Sequence, residues 1–316
     1  MTFGALFTAS LTIIGLTVFE TVSSIDNAII NAHVLKKMSA KMRKLFLIFG
    51  VFFAVFLVRA FLPLLIVWLT TPGITIYQAI EATLGSDPAT HKAMEDNAYI
   101  LLMCGGIFLL LLYLHWLFLE KKDPYFVPDK LVRPQHKMWF FALSAVLLVG
   151  LMWAMQARPL GMLTAAFGNA IFFILYGFRQ MAEEEEKKME QSGRKDWARL
   201  LFLIVLDASF SIDGVLGAFA FTTNILLIFL GNGLGAVVVL WATFKWVEGV
   251  AKYKWLKNGA MTSIGLLGLF MILEAFDLHV PQWLPPVTTF ALVGWAFLAS
   301  HRYLKKIDLN PKGGVA

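Results

Sequence analysis

Apolar stretches long enough to cross a bilayer follow one another along almost the whole chain, which leaves it few folds. About 20 predominantly apolar residues in a helix traverse roughly 30 Å of hydrocarbon. Nine such stretches can be drawn, near 4–34, 45–70, 97–119, 138–156, 159–178, 198–222, 225–247, 258–276 and 286–304. Hydrophobic residues are 59% of the chain and its mean hydropathy is +0.71, whereas soluble domains are nearer 45–50% apolar. The expected fold is an all-α polytopic membrane protein with about nine transmembrane helices, and its first partner is the lipid bilayer.

The net charge of +6 does not point to nucleic acid, because the basic residues are not spread over a surface. Segments 36–44, 121–137, 179–199, 245–257 and 302–312 hold 24 of the 27 Lys and Arg. They fall in alternate connections, as the positive-inside rule expects of cytoplasmic loops. That puts the N-terminus outside and the C-terminus in the cytoplasm of a bacterial inner membrane. Lys92 and Arg158 are left on the outer side, and Arg59 falls within a span. The first span lacks a basic leader and is followed by Lys36 and Lys37, so it reads as a retained helix rather than a signal peptide. The lone Cys104 excludes an intrachain disulfide and a Cys-rich metal site.

Within this apolar background one polar pattern occurs twice. Glu20-Thr-Val-Ser-Ser-Ile-Asp26-Asn matches Asp207-Ala-Ser-Phe-Ser-Ile-Asp213-Gly, pairing Glu20 with Asp207, Ser24 with Ser211 and Asp26 with Asp213 at one constant offset. A carboxylate at a helix centre costs roughly 2.5–3.5 kcal/mol on insertion scales, so four in a repeated pattern imply duplication and a polar site. The first copy lies in a span running outside to inside, the second in one running inside to outside. The fold predicted is therefore two inverted repeats, 1–156 and 198–316, around a linker helix and charged loop at 157–197. In such folds the site lies near the midplane, between the repeats.

Glu20 and Asp26 are six residues apart, which on an unbroken helix separates them by about 120° and 9 Å. Both can face one small ligand only if the helix breaks. Ser23, Ser24 and Asn27 in one copy, and Ser211 and Gly214 in the other, would permit that. The ligand set is Glu20, Asp26, Asp207 and Asp213 with Ser24, Ser211 and Asn27. All are oxygen donors, which suit hard divalent cations such as Mn²⁺, Ca²⁺ or Mg²⁺ as substrate. No organic cofactor is called for. Four carboxylates around one divalent ion leave a net −2, so a second cation or bound protons are expected.

Arg59 is a candidate counter-charge. Asn31 extends the Glu20–Ser24–Asn27 face, and Asn232 could add an amide oxygen. Gly231-Asn-Gly233-Leu-Gly235 lies mid-span, where close helix packing is the simplest use of its glycines. The Glu183–Glu186 run reads as a solvated loop. Glu274 and Asp277 read as solvated at the outer end of a span, and His33 and His115 have no spaced partner.

At these residues the chain resembles the TerC family of integral membrane proteins, which is similar to the LysE-like transporter superfamily. The resemblance rests on the paired Glu–Ser–Ile–Asp–Asn and Asp–Ser–Ile–Asp–Gly segments and on Lys254-Trp-Leu-Lys-Asn-Gly259 before the Gly-rich eighth span. It implies export of a divalent metal, chiefly Mn²⁺, with the paired acids as ligands. The leading expectation is a non-enzymatic divalent cation transporter working by alternating access, with protons as a second partner and a homo-oligomer allowed. Two alternatives stand beside it. One is a non-transporting membrane scaffold for a metal or tellurite stress response. The other is an intramembrane aspartyl protease, which pairs two membrane aspartates but lacks its usual glycine-aspartate motif here.

Overall fold

The computed structural model describes residues 3–24, 28, 34–35, 38–46, 59–71, 73–83, 92, 96–132, 136–191, 196–245 and 252–309. All regular structure among them is helical. The helices are α1 (Phe3–Ser23), α2 (Ala40–Leu45), α3 (Arg59–Thr70), α4 (Ile76–Thr83), α5 (Ala98–Leu119) and α6 (Val127–Leu131). There follow α7 (Met138–Ala154), α8 (Pro159–Gln191), α9 (Asp196–Ala218), α10 (Ile225–Lys245), α11 (Leu256–Ala275) and α12 (Leu284–Leu309). Each of the nine expected stretches overlaps one of the longer helices among them. Four carry a continuous segment long and apolar enough to span a membrane: Leu6–Ser23, Ala98–Leu119, Pro159–Met181 and Leu256–Ala275. The chain is a multi-pass membrane protein.

Lipid tails are as apolar as leucine, so helices in a bilayer associate through close packing rather than by escaping water. The glycines do this here. A methyl group on Gly268 of α11 would stand 2.9 Å from both the Gly106 carbonyl oxygen and the Leu110 nitrogen of α5. One on Gly106 would meet Ile272 at 2.7 Å. This seam joins the two most deeply buried of the four spanning segments. The Gly231–Gly235 segment does the same for α10 against α1: a methyl on Gly231 would lie 2.4 Å from Leu16, and one on Gly235 would lie 2.6 Å from Glu20. Gly233 faces open space. Of the three glycines expected to pack here, Gly231 and Gly235 do so, one turn apart, and Gly233 does not.

The α5–α11 pair is tied at both ends. At one end Arg158 pairs with Asp277, donates to the Ala275 carbonyl at 3.3 Å and lies over the Tyr99 ring. Asp277, expected to be solvated, is exposed yet caps α11 in the left-handed region at φ 60°. At the other end Lys257 donates to Glu120 Oε2 at 2.6 Å and Lys254 pairs with Asp123 at 3.1 Å. Asn258 donates to Asp129 at 2.7 Å and to the Asp123 carbonyl at 2.8 Å. Every polar member of Lys254-Trp-Leu-Lys-Asn-Gly259 thus grips the 120–129 connection, and Trp255 stacks on Tyr125. Because the start of α5 meets the end of α11 and the reverse, the two helices are antiparallel.

Two expectations change. The Glu183–Glu186 run is not a loop: α8 is one helix of 33 residues, about 50 Å long, and its charged end continues beyond its spanning segment. Helix propensity explains this, since the Glu- and Lys-rich tract favours helix wherever water satisfies its side chains. The second motif copy is not broken at Ser211 or Gly214, because α9 runs unbroken from Asp196 to Ala218. Positions 207 and 213 therefore point about 120° apart.

Introducing Val at Gly268 is expected to lower thermal stability in detergent by the equivalent of about 1–3 kcal/mol, the usual cost of overpacking. Ala at Gly233, which faces open space, should leave the melting temperature unchanged. The clasp of Glu120 with Lys257 gives a pH test. Burial pushes the Glu120 carboxyl up, but the His115 hydrogen bond and the Lys257 ammonium outweigh it and hold it at about 2. Its stabilisation is therefore complete above its ordinary value near 4.5 and lost as pH falls towards 2. Glu120→Gln should melt below the wild type at pH 6, with the gap closing between those two values.

Candidate functional site

Glu20 and Ser24 stand one helical turn apart at the end of α1, so their side chains share a face. Ser24 Oγ donates to Glu20 Oε1 at 2.6 Å, and Glu20 is fully buried. A face this polar is closed off by α10. Gly235 lets the α10 backbone reach the Glu20 side chain, and Thr17 Oγ1 donates to the Gly231 carbonyl at 3.2 Å. Asn232, buried on α10, donates from Nδ2 to the Gly214 carbonyl of α9 at 3.2 Å. That bond brings α9 into the group and sets Asp213, next in chain, beside it. The Glu20 carboxylate lies within electrostatic reach of Asp213.

Asp213 forms an ion pair with Arg179 of α8 through its Oδ2 atom. Its Oδ1 atom and the Oδ1 atom of Asn232 are buried without a hydrogen-bond partner among the described residues. Leaving a buried acceptor unpaired costs about 1–3 kcal/mol each, so such atoms invite an explanation. Two oxygen acceptors beside a carboxylate and a serine hydroxyl are what a hard cation would use.

The site opens into a cavity of about 560 Å³ lined by Ser24, Asp213, Arg179, His115, Glu120 and Lys257, with apolar walls from α5 and α8. Along α5 the lining runs from Phe108 to Glu120, about 18 Å of helix rise. A methyl on Gly105 of α5 would lie 3.7 Å from the Leu216 carbonyl of α9. Asp213, just under one turn back along α9, is thus near the middle of α5, which spans 98–119. The cavity therefore leads from mid-depth to the face bearing Lys122, Lys254 and Lys257.

Of the expected ligands, Glu20, Ser24 and Asp213 come together, with Asn232 behind them. Ser211 is buried on α9 but does not line the cavity. Asp26, Asn27 and Asn31 lie outside the described residues, as do the side chains of Asp207 and Arg59. Among the described residues no three His, Cys, Asp or Glu side chains form a metal-binding group.

Two participants were missed. Arg179 was placed in a cytoplasmic basic stretch, and the counter-charge was sought at Arg59. Its signal is the α8 stripe Phe172, Leu175, Tyr176, Arg179, spaced i, i+3, i+4, i+7, all of which lines the cavity. His115 was read as having no partner. Its ring packs on Tyr176 at 4.8 Å, and its Nδ1 lies 3.5 Å from Glu120.

A part of the chain is similar to the protein described as uncharacterized membrane protein YceF of Bacillus subtilis (strain 168). The two are 28% identical over 86 residues, 27% of this chain and 34% of that protein, so the match spans about a third of the relative. No solved structure matches the chain. The family described as "Protein of unknown function (DUF475)" matches residues 25–306, which include Asp26, Arg179, Asp207 and Asp213. With most of its length matched, the chain belongs to that family.

Proposed function

We propose that the chain is a divalent cation transporter of the bacterial inner membrane, most simply a Mn²⁺ exporter. Its carboxylate site would be loaded from the face at which the cavity ends. The observation that carries this reading is the grouping of Glu20, Ser24, Asp213 and Asn232 beside a cavity that Ser24 and Asp213 line together with Arg179 and Lys257. The positive-inside rule makes that face the cytoplasm, the side from which an exporter loads. Asp26, from the first motif, would complete the ligand set, whereas Asp207 would face away from it on the unbroken α9. Exchange against protons is the coupling that an all-oxygen, acid-rich site allows.

Alternating access between inverted repeats is the mechanism proposed, with α8 as the linker. Most, though not all, of the helix contacts fit it: α1 packs on α12 with no comparable α9–α7 contact among the described residues. If α1, α3, α5 and α7 correspond to α9, α10, α11 and α12, an inverted pair should pack in exchanged partners. α1 packs on α10 as α9 packs on α3, and α1 on α11 as α9 on α5. α11 packs on α12 as α5 does on α7. The equivalent pairs α1–α9, α3–α10 and α5–α11 touch one another, as elements beside a two-fold axis would. The antiparallel α5–α11 pair has the sense such an axis requires.

A second reading, the non-transporting scaffold, is favoured by the ion pair of Asp213 with Arg179, which satisfies a buried acid without any ion. Flux separates the two. In proteoliposomes containing a divalent-sensitive dye, the wild type should pass Mn²⁺. Asp213→Asn and Asp26→Asn should each reduce the rate tenfold or more, the effect of about 1.4 kcal/mol or more of lost binding. A wild type that moves no Mn²⁺, Ca²⁺ or Mg²⁺ under a pH gradient of either sign would leave the scaffold standing.

A further inference from the structure

We propose that Arg179 is a tethered counter-cation: it holds the ion's place on Asp213 when the site is empty and moves to Glu120 when a divalent cation arrives. This rests on the transport reading and adds a residue to it. An arginine near the end of a spanning segment ordinarily extends its head towards water. Arg179 instead turns into the cavity, pairs with Asp213 and is 19% exposed. The cost of burying a guanidinium is offset only by its partner. A divalent ion on Glu20 and Asp213 would neutralise both carboxylates and remove that partner, so the arginine needs another.

The packing of α5 on α8 supplies one. The two helices run parallel: Gly168 lies against Cys104, Phe172 against Phe108 and Tyr176 against His115. Arg179 is about one turn past Tyr176, and Glu120 is just over one turn past His115. Their backbones therefore lie within about 3–8 Å of each other in depth, and both side chains line the same cavity. Glu120 is ionised and already shared between His115 and Lys257. Asp213 holds the guanidinium towards mid-depth, and Glu120 is the carboxylate on the same cavity's wall at its mouth. Moving between them clears the ion's path without leaving a buried charge unpaired.

The test is Mn²⁺ binding to the purified full chain in detergent. A site that is competent only when Arg179 has left binds more weakly by the fraction of time it is clear. Arg179→Gln should therefore tighten Mn²⁺ binding about tenfold, with Arg179→Lys in between. Glu120→Gln should weaken binding severalfold in the wild-type background and have no effect in the Arg179→Gln background. A through-space charge effect would persist in both. Equal or weaker binding by Arg179→Gln, or an unchanged Glu120 effect, overturns the inference and leaves the transporter reading intact. If neither the wild type nor Arg179→Gln binds Mn²⁺, Ca²⁺ or Mg²⁺, the transporter reading fails and takes the inference with it. Binding by Arg179→Gln alone upholds Arg179 as the occupant while removing the wild type as a transporter. Should the variants not fold, phenylglyoxal labelling of the wild type, mapped by mass spectrometry, decides. Mn²⁺ accelerating modification at Arg179 supports the exchange, and an unchanged rate overturns it.

Discussion

The approach of α5 to α11 at Gly106 and Gly268 governs the rest of the assembly. In a bilayer no gain in water entropy draws two helices together, so the distance at which their backbones can meet decides whether they bind. Two glycines facing each other make that distance short, and the ties at each end, Arg158 with Asp277 and Lys257 with Glu120, fix the register. With the seam set, α8 packs on α5, α12 on α11, and α1 and α9 lie alongside. The polar site can exist only because this frame is rigid. Glu20 and Asp213 sit close together in a medium that penalises both, and a looser frame would let water or lipid separate them.

Much of this could be read from the residues. Hydrophobic length located the nine longer helices among the described residues, and the glycines of 231–235 foretold a close helix contact, though not that its partner is α1, because close approach needs small residues. Glu20 and Ser24 were recognisable as one surface from their spacing of one helical turn. Arg179 was hidden by a rule that is usually sound: a basic residue at the end of an apolar run belongs to the loop. The rule fails here because α8 does not end there. Its helix continues to Gln191, so position 179 still lies on a packed face. Asp207 and Asp213 misled in the opposite way. Ser211 and Gly214 allow a helix to break but do not require it, and packing of α9 against α5 and α11 keeps it whole. The role of Lys254-Trp-Leu-Lys-Asn-Gly259 was unreadable alone, since its partners at 120–129 are distant in sequence.

The charges along the cavity follow one scheme. Each carboxylate on its wall is matched by a base from another helix: Asp213 by Arg179, Glu120 by Lys257. A cavity lined only by acids would hold a divalent ion too tightly to release it. One lined by neutral groups would not draw it in. Arg179 cancels one of the two mid-depth carboxylates and Lys257 cancels Glu120, so in the transporter proposed above an arriving ion would meet a reduced field and leave it more easily. Interactions of this kind are strong because the surroundings are poorly solvated, and they grow weaker towards the mouth as water screens them.

The base paired with Asp213 comes from α8, the helix that belongs to neither proposed repeat. Two inverted repeats of similar structure tend to make their two orientations close in energy, since each repeat can adopt the other's conformation. A charged residue supplied from outside the pair removes that degeneracy. Arg179 pairs with Asp213 of the second motif, and among the described residues α8 packs against α5, α7 and α9 with no comparable contact to α1. Asp213 thereby takes its base from outside the repeats proposed above. In the transporter proposed above, this would bias the empty protein towards one orientation. The direction of net flux would still follow the ion and proton gradients, while the bias would set which orientation waits for its ion.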